Sequence, residues 1–541
     1  MLNDRNSGSA RRNEHRYWPF IYSSITFGLS FFLLQFNGFI NPDGVEYIRS
    51  GINLVAGIGL TIDHAQPYVL HPPFYPFLIG CVSLLVKYGE WAAHLISILC
   101  YALSLIPLFL LTEEAYSRKA AHWFSLLYLS HGFLLIYSNL IIAEPLLLLL
   151  ISVNLFLIHR LISSSGRPFV LAGLIGLSGG LSYLTHPLGA LFFGAALLSI
   201  FCLASDPFKK RFRLAALSLA CFSLFAVPYL MFVHQATSQT QLSGVAVKAV
   251  IQHQMNVAQS VPYLEAKKIY EGLADDKIHF KLDELAKQFN LADFLQKDNF
   301  ALVRYSLPFL LMKIAGFGNY MYAGFGFLLI GAGLFGATWD DKRKKTECLR
   351  VLFLLTFAAF AFSVFEPRYY FPFLPLALIW CGQGLETLRG WLRASFQFNE
   401  RKSLMAVSVL CGLLIAVSAW YLYGNLRGVI PPSEHRVLGL WMRENILDIE
   451  KETVAAQVPY AAFYAGANIL QLPYVEKFDD LVTYLHHYKA KYFIVGDDLD
   501  TPVFYSYRFL LDAPDASVLP SSIVLKHTVK NHRKVMLYEC L

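Results

Sequence analysis

Five short stretches carry residues whose types and spacing could do chemistry. In Asn41-Pro42-Asp43-Gly44-Val45-Glu46-Tyr47-Ile48-Arg49, Pro42 suits the start of a helix, which puts Asp43 in the first turn. Asp43, Glu46, Tyr47 and Ser50 then share one face at i, i+3, i+4 and i+7. A carboxylate tethered there could take a proton from a hydroxyl; an ordinary helix-start Asp favoured by the dipole fits the same pattern. In His71-Pro72-Pro73-Phe74-Tyr75-Pro76, His71 reads as an N-cap, either as helix punctuation or as a hydrogen-bonding group facing the same vestibule. Glu144-Pro145 opens a run of Leu and Ile. An ionisable group at the rim of such a helix is a functional candidate, and a wet Glu at a helix start is the plainer reading. His186 sits in the turn Thr185-His186-Pro187. Arg368, in Glu366-Pro367-Arg368-Tyr369-Tyr370, is the sole Lys or Arg in a short connection. It could bind phosphate beside Tyr370, or form a surface pair with Glu366 worth about 0–1 kcal/mol.

The elements that must hold these residues belong to a membrane. Of 541 residues, 56% are hydrophobic and 15% charged, against about 25% charged in soluble domains, and the mean hydropathy is +0.46. This excludes a soluble multidomain enzyme, a disordered chain and a nucleic-acid binder. Apolar runs near 18–38, 93–113, 121–138, 143–160, 168–185, 187–205, 212–233, 320–339, 349–365, 369–388 and 403–423 predict about 11 spans. The first run is too long for a signal-peptide core, lacks a small-x-small exit, and reads as a retained helix after a tail over 1–17.

Lys and Arg alternate between connections. Arg5, Arg11, Arg12 and Arg16; Arg118 and Lys119; Arg160 and Arg167; Lys209 to Arg213; Lys342 to Lys345; and Arg389 to Lys402 define the cytoplasmic side. The net charge of +7 is thus a topology signal and asks for no acidic partner. A crossing by 72–88 would invert every later loop, so that segment is expected to lie in the outer interface. The C-terminus is then outside, and the five stretches fall together on the outer side.

Outer segments are expected over 40–92 and 234–318, the second with an amphipathic helix around 277–295. A small α/β domain is expected over 424–541, with strands at Thr453-Val454-Ala455 and Tyr492-Phe493-Ile494-Val495 and helices near 434–447 and 477–489. The eight cysteines form no CxxC or zinc spacing, and no DxD lies near Asp43. No metal and no cofactor are expected.

With these motifs assembled in order along the whole chain, the sequence resembles the GT-C membrane glycosyltransferases. Its nearest likeness is to the aminoarabinose lipid A transferases, the protein O-mannosyltransferases and the rhizobial lipopolysaccharide transferases. The most specific pieces are His71-Pro72-Pro73-Phe74-Tyr75-Pro76 and Arg368-Tyr369-Tyr370-Phe371-Pro372-Phe373-Leu374-Pro375. The resemblance implies a polytopic GT-C helical domain over 18–423 and an extracytoplasmic active site. It implies inverting transfer of a sugar from a polyprenyl-phosphate donor to an envelope glycan, lipid or protein in a bacterial inner membrane. By that resemblance Asp43 and Glu144 are catalytic, while Glu46, His71, His186, Arg368 and Tyr370 bind substrate or phosphate. Gly44 follows Asp43 where protein mannosyltransferases carry adjacent acids, which points away from that branch. His71 replaces a Lys, and His94 stands where many relatives have Arg. The competing expectations are a GT-C ligase or polymerase using diphosphate-linked glycans, and a non-catalytic transporter or flippase.

Overall fold

The computed structural model describes residues 17–62, 67–163, 166–238, 271–288, 299–336, 338–358, 366–428, 432–497, 507–512 and 521–541, with isolated residues between 244 and 269. The first helix, α1 (Trp18–Asn37), leads into α2 (Pro42–Val55), whose second residue is Asp43. A short apolar helix, α3 (Phe74–Val86), lies between α2 and the long α4 (Gly89–Ala115). The bundle continues with α5 (Arg118–Leu129), α6 (Gly132–Ser138), α7 (Glu144–Ile162), α8 (Pro168–Thr185), α9 (Leu188–Leu203) and α10 (Phe208–Thr237). After α11 (Lys281–Gln288) come α12 (Asn299–Tyr320), α13 (Phe325–Phe335), α14 (Asp341–Leu355), α15 (Leu374–Ser395) and α16 (Glu400–Gly428).

Large apolar side chains such as Leu224 and Met231 on α10, and Val409, Leu413 and Trp420 on α16, face outward. That arrangement suits lipid and would be costly in water. The chain is an integral membrane protein. Among the described residues, six helices are long and apolar enough to span, or seven if the pair 310–320 and 325–335, bent by 95°, is one broken span. The other expected spans are shorter or interrupted. The 121–138 run is broken at Ser130–His131 into α5 and α6, α9 has 16 residues, and α15 carries Gln383, Glu386 and Arg389. The helix α12 occupies part of the segment expected as the outer loop 234–318. With 13 residues, α3 is about 20 Å long, short of a bilayer core of about 30 Å. The part of the expected 277–295 helix beyond Gln288, and residues 359–365, lie outside the described residues.

The basic connections meet at one end of the bundle. Lys119 and Arg389 reach Glu400, and Arg160 pairs with Glu114. The opposite end carries α2, α3 and the C-terminal domain. There a five-stranded sheet runs in the order β2-β1-β3-β5-β4, with β1 (Thr453–Ala456), β2 (Asn468–Gln471), β3 (Ala490–Gly496), β4 (Ile523–Lys530) and β5 (Lys534–Cys540). The first three pair in parallel, and β5 joins β3 and β4 antiparallel. The central β3 is buried on both faces apart from Lys491, whereas the edge strand β4 alternates. Helix α17 (Ser433–Asn445) packs on one face through Leu438 and Met442, and α18 (Tyr460–Ala465) joins it there through Ala461 and Ala465. The second face is covered by α19 (Phe478–His487) through Leu481 and Leu485. Arg49 of α2 donates to the Ala467 carbonyl at 2.7 Å, tying this domain to the helix that carries Asp43.

Candidate active site

Three chain segments converge on one guanidinium. Arg368 lies in a 3-10 turn, Pro367–Tyr370, ahead of α15. Its Nη1 is 2.5 Å from Asp43 Oδ2, and its Nε is 2.7 Å from Glu366 Oε2 and 3.5 Å from Glu144 Oε1. The guanidinium also sits over the Tyr369 ring, 5.6 Å from its centroid. Glu144 is 3% exposed and the Arg368 side chain 16%, so this is no simple surface pair with Glu366. Burial opposes the charge on Arg368, yet Asp43, Glu144 and Glu366 hold its pKa well above the usual value.

A second group lies alongside. Glu46 Oε2 accepts from the Tyr68 hydroxyl at 2.5 Å and is 3.7 Å from His71 Nε2. His71 Nδ1 is 3.4 Å from the Tyr47 hydroxyl. Burial, then the neighbouring acids, raise the Tyr47 and Tyr68 phenols well above their ordinary range, so both remain proton donors. His186 Nδ1 accepts from the Leu188 amide at 3.2 Å, and its ring is 6.3 Å from that of Tyr369. Burial, then the facing Arg368 and His71, push the His186 imidazole down to about 3. It is therefore neutral at ordinary pH and serves as a hydrogen-bonding group, with no cationic role.

The structure thus brings Asp43, Glu144 and Arg368 into contact and sets Glu46, His71 and His186 beside them. Tyr370 is elsewhere. A 3-10 helix turns each residue by about 120°, so Tyr369 faces the cluster while Tyr370 points into the bundle and donates to the Lys313 carbonyl at 2.6 Å. His71 is also not an N-cap, since α3 begins at Phe74 with Pro73 at the cap. It belongs to the extended approach that consecutive prolines favour.

Close backbone contacts position these groups. A Cβ at Gly51 of α2 would lie 2.2 Å from the Pro76 carbonyl oxygen, and one at Gly80 of α3 2.2 Å from that of Gly51. The two helices bearing Asp43 and leaving His71 therefore touch backbone to backbone. A Cβ at Gly44 would meet Asn41 Oδ1 at 2.5 Å and Ile141 Cβ at 3.0 Å. This glycine lets the strand of chain leading to Glu144 press against the turn bearing Asp43, which explains why no second acid stands next to Asp43. Below it, Val45, Ile48, Tyr75, Ile79, Ala92, Ile96, Ile141 and Leu146 form a dedicated core. Tyr75 is anchored to Ser97 at 2.7 Å.

Reading the sequence missed Tyr68 and Tyr369 as neighbours of the acids. The Arg-Tyr-Tyr run offered two tyrosines, and only the 3-10 geometry selects between them. For Tyr68, three residues before His71, no periodic pattern gave a signal.

Residues 70–232 match the family model for dolichyl-phosphate-mannose-protein mannosyltransferases, a span that includes His71, Glu144 and His186. Comparison with curated proteins gave no sequence match. Among solved structures the chain is similar to ArnT from Cupriavidus metallidurans bound to undecaprenyl phosphate, with 14% identity, a TM-score of 0.59, and coverage of 97% of this chain and 98% of that one. It is also similar to the oligosaccharyltransferase AglB from Archaeoglobus fulgidus in complex with an inhibitory peptide and a dolichol-phosphate, with 14% identity, a TM-score of 0.59, and coverage of 91% of this chain and 71% of that one. The fold is that of the GT-C membrane glycosyltransferases, as the resemblance implied: a helical membrane domain with a small C-terminal α/β domain.

Proposed function

We propose that the protein transfers a sugar from a polyprenyl-phosphate donor to an acceptor on the outer side of a bacterial inner membrane, with Asp43 as general base and inversion at the anomeric carbon. The acceptor classes are lipid A, lipopolysaccharide, another envelope glycan, or protein. The observation that carries this reading is the convergence of Asp43, Glu144 and Glu366 on Arg368 at the end of the bundle that bears the C-terminal domain. It is supported by the lipid phosphates held by the structural neighbours.

In this mechanism the donor phosphate approaches Arg368, with His71 and the neutral His186 as hydrogen-bond partners. Arg368 turns part of its fork toward the phosphate, which frees the Asp43 oxygen that it otherwise holds. An acceptor hydroxyl then attacks the anomeric carbon from the face opposite the phosphate. Its proton passes to Asp43. The bond between anomeric carbon and phosphate oxygen breaks, and the electron pair leaves on the lipid phosphate, where Arg368 stabilises the growing charge. Glu144, at the start of α7 and buried, orients Arg368 and can accept a hydroxyl of either sugar.

Mass spectrometry of surface glycans in a strain lacking the gene tests this directly. Loss of one sugar, restored by wild-type protein and not by Asp43→Asn, is expected. An unchanged glycan profile, or full restoration by Asp43→Asn, would overturn it.

A further inference from the structure

The core beneath Asp43 is not built by the membrane domain alone. Tyr460, the first residue of α18 in the C-terminal domain, is buried in it with Val45, Ile48 and Ile141. Val458, Phe463 and Ile469 of the same domain pack against it. One flank of α2 is set by the backbone contact between Gly51 and Gly80. Glycines carry no side chain to interlock, so that contact fixes how close α2 and α3 lie and resists rotation about the α2 axis poorly.

Arg49 reaches sideways from that axis into the C-terminal domain. Its Nη2 donates to the Ala467 carbonyl at 2.7 Å, and its guanidinium lies over the Phe463 ring, 5.8 Å from the centroid. The end of α18 prepares the acceptor. Gly466 is left-handed, with a φ of 80°, and donates to the Phe463 carbonyl, while the Ala467 amide folds back to Ala462. These paired bonds close the helix and leave the Ala467 carbonyl for Arg49. The domain is held in turn to α4, where the Tyr464 hydroxyl donates to Glu90 at 3.1 Å.

Arg49 is half-buried. Burial lowers its pKa, and among the described residues no acid acts to raise it. A partly buried cation without a counter-charge is a poor device for stability alone. As a device for placement it is well sited. At 3.6 residues per turn, Arg49 and Asp43 point to different sides of α2, one to the C-terminal domain and one to Arg368. A side chain on a helix lies about 5 Å from the axis, so a rotation of about 10° moves it by about 1 Å. A displacement of that size can cost about 10²-fold in rate.

We propose that Arg49 is a positioning residue, through which the C-terminal domain sets the rotation of α2 and so places the Asp43 carboxylate. The proposal rests on the glycosyltransferase reading with Asp43 as base, and it gives the C-terminal domain a part in turnover.

The test compares Arg49→Met, which keeps the stem and removes the donor, with Arg49→Lys, which restores a donor. Three readouts use the full chain. They are hydrogen exchange over 42–55 in lipid nanodiscs, binding of undecaprenyl phosphate to the same sample, and the initial rate at which the missing sugar returns to surface glycans when each variant is induced in the strain lacking the gene. In Arg49→Met, exchange over 42–55 should quicken by about tenfold, since a charge-assisted hydrogen bond is lost. The rate of sugar return should fall by at least about tenfold, with undecaprenyl phosphate binding within about twofold of wild type. Arg49→Lys should bring exchange and rate back to within about threefold of wild type. Unchanged exchange in Arg49→Met would overturn the tether. Faster exchange with a wild-type rate would overturn its role in placing Asp43. Lipid binding lost in step with the rate, or equal loss in the Lys and Met variants, would show general damage to the fold and overturn the proposal too. A strain that misses no sugar would sink the glycosyltransferase reading and this proposal with it. A sugar restored at the wild-type rate by Arg49→Met would sink this proposal alone.

Discussion

Two arginines mark opposite ends of this bundle, and they are built differently. At the end with the basic connections, Arg350 of α14 is fully buried against Glu347, with the Tyr116 hydroxyl and the faces of Tyr116 and Trp380 enclosing the guanidinium. Glu347 also accepts from Tyr116 and from the Trp380 indole, the latter at 2.6 Å, and lies 3.5 Å from Arg343. Here one carboxylate serves two arginines, and the rings of Tyr116 and Trp380 lie against the guanidinium groups. At the other end, one arginine serves three carboxylates, and its contacts come from three segments far apart in sequence, at a mouth that solvent or ligand can reach. The first arrangement is enclosed and fixes how α4, α14 and α15 pack. The second has excess acceptors around a partly exposed cation, so an incoming phosphate can compete for the guanidinium. A buried pair is therefore expected to act on folding, and a shared, half-open one on turnover.

The largest effect expected from this contrast is at the closed end. Glu347→Gln keeps the shape but leaves Arg350 without its counter-charge, and breaking a buried pair costs about 3–5 kcal/mol. Thermal unfolding in detergent should fall sharply, while the folded fraction keeps its donor KM. A wild-type melting temperature would show that the cluster is not a structural staple.

The next largest effect lies at Gly44. In Gly44→Asp the new Cβ would press on Asn41 and Ile141, an overpacking that typically costs about 1–3 kcal/mol, and it would displace the neighbouring Asp43. Turnover should drop with only modest loss of folded protein. Unchanged kcat would mean that the approach of the 141–144 segment to Asp43 is not needed for the site.

Arg368→Lys should follow. Ammonium cannot reproduce the planar fork, so donor kcat/KM should fall by about tenfold, equivalent to roughly 1.4 kcal/mol, with the melting temperature nearly unchanged. Wild-type donor kinetics in that variant would return Arg368 to a structural pairing.

These sites differ in how far they could be read from the chain alone. Asp43 and Glu144 announced themselves through Pro42 and Pro145, because a helix start is a local event. The β-branched strands at 453–456 and 490–496 and the amphipathic helices of the C-terminal domain were equally local. Neither the joint hold of Asp43, Glu144 and Glu366 on Arg368 nor the Gly51–Gly80 crossing could be read this way. Both depend on contacts between distant segments. Tyr370 lies away from the acids because Tyr369, one residue earlier in the 3-10 turn, takes the side that faces them. The break at Ser130–His131 and the bend between α12 and α13 interrupt apolar runs that composition alone presents as continuous.

The smallest effect expected is in pH dependence. His186 is pushed down to about 3 from an ordinary 6.5. The unfolded chain therefore binds a proton below about 6.5 that the folded chain refuses. Stability from this group is full above 6.5 and declines as pH falls toward 3. His186→Gln should flatten that part of the melting-temperature profile between pH 7 and 4 without adding or removing a limb in kcat near neutrality. A kcat limb near pH 6.5 that vanishes in His186→Gln would mean that this imidazole titrates normally.

The central claim is that Asp43 takes the acceptor proton once Arg368 has turned to the phosphate. It is tested most directly by steady-state turnover of purified Asp43→Asn protein, with donor binding measured on the same sample. Loss of a general base costs about 10²–10⁴-fold. The account predicts a fall of that size in kcat with donor binding retained, because Arg368 still has Glu144 and Glu366. Turnover within a few-fold of wild type, or loss of donor binding in step with turnover, would contradict it.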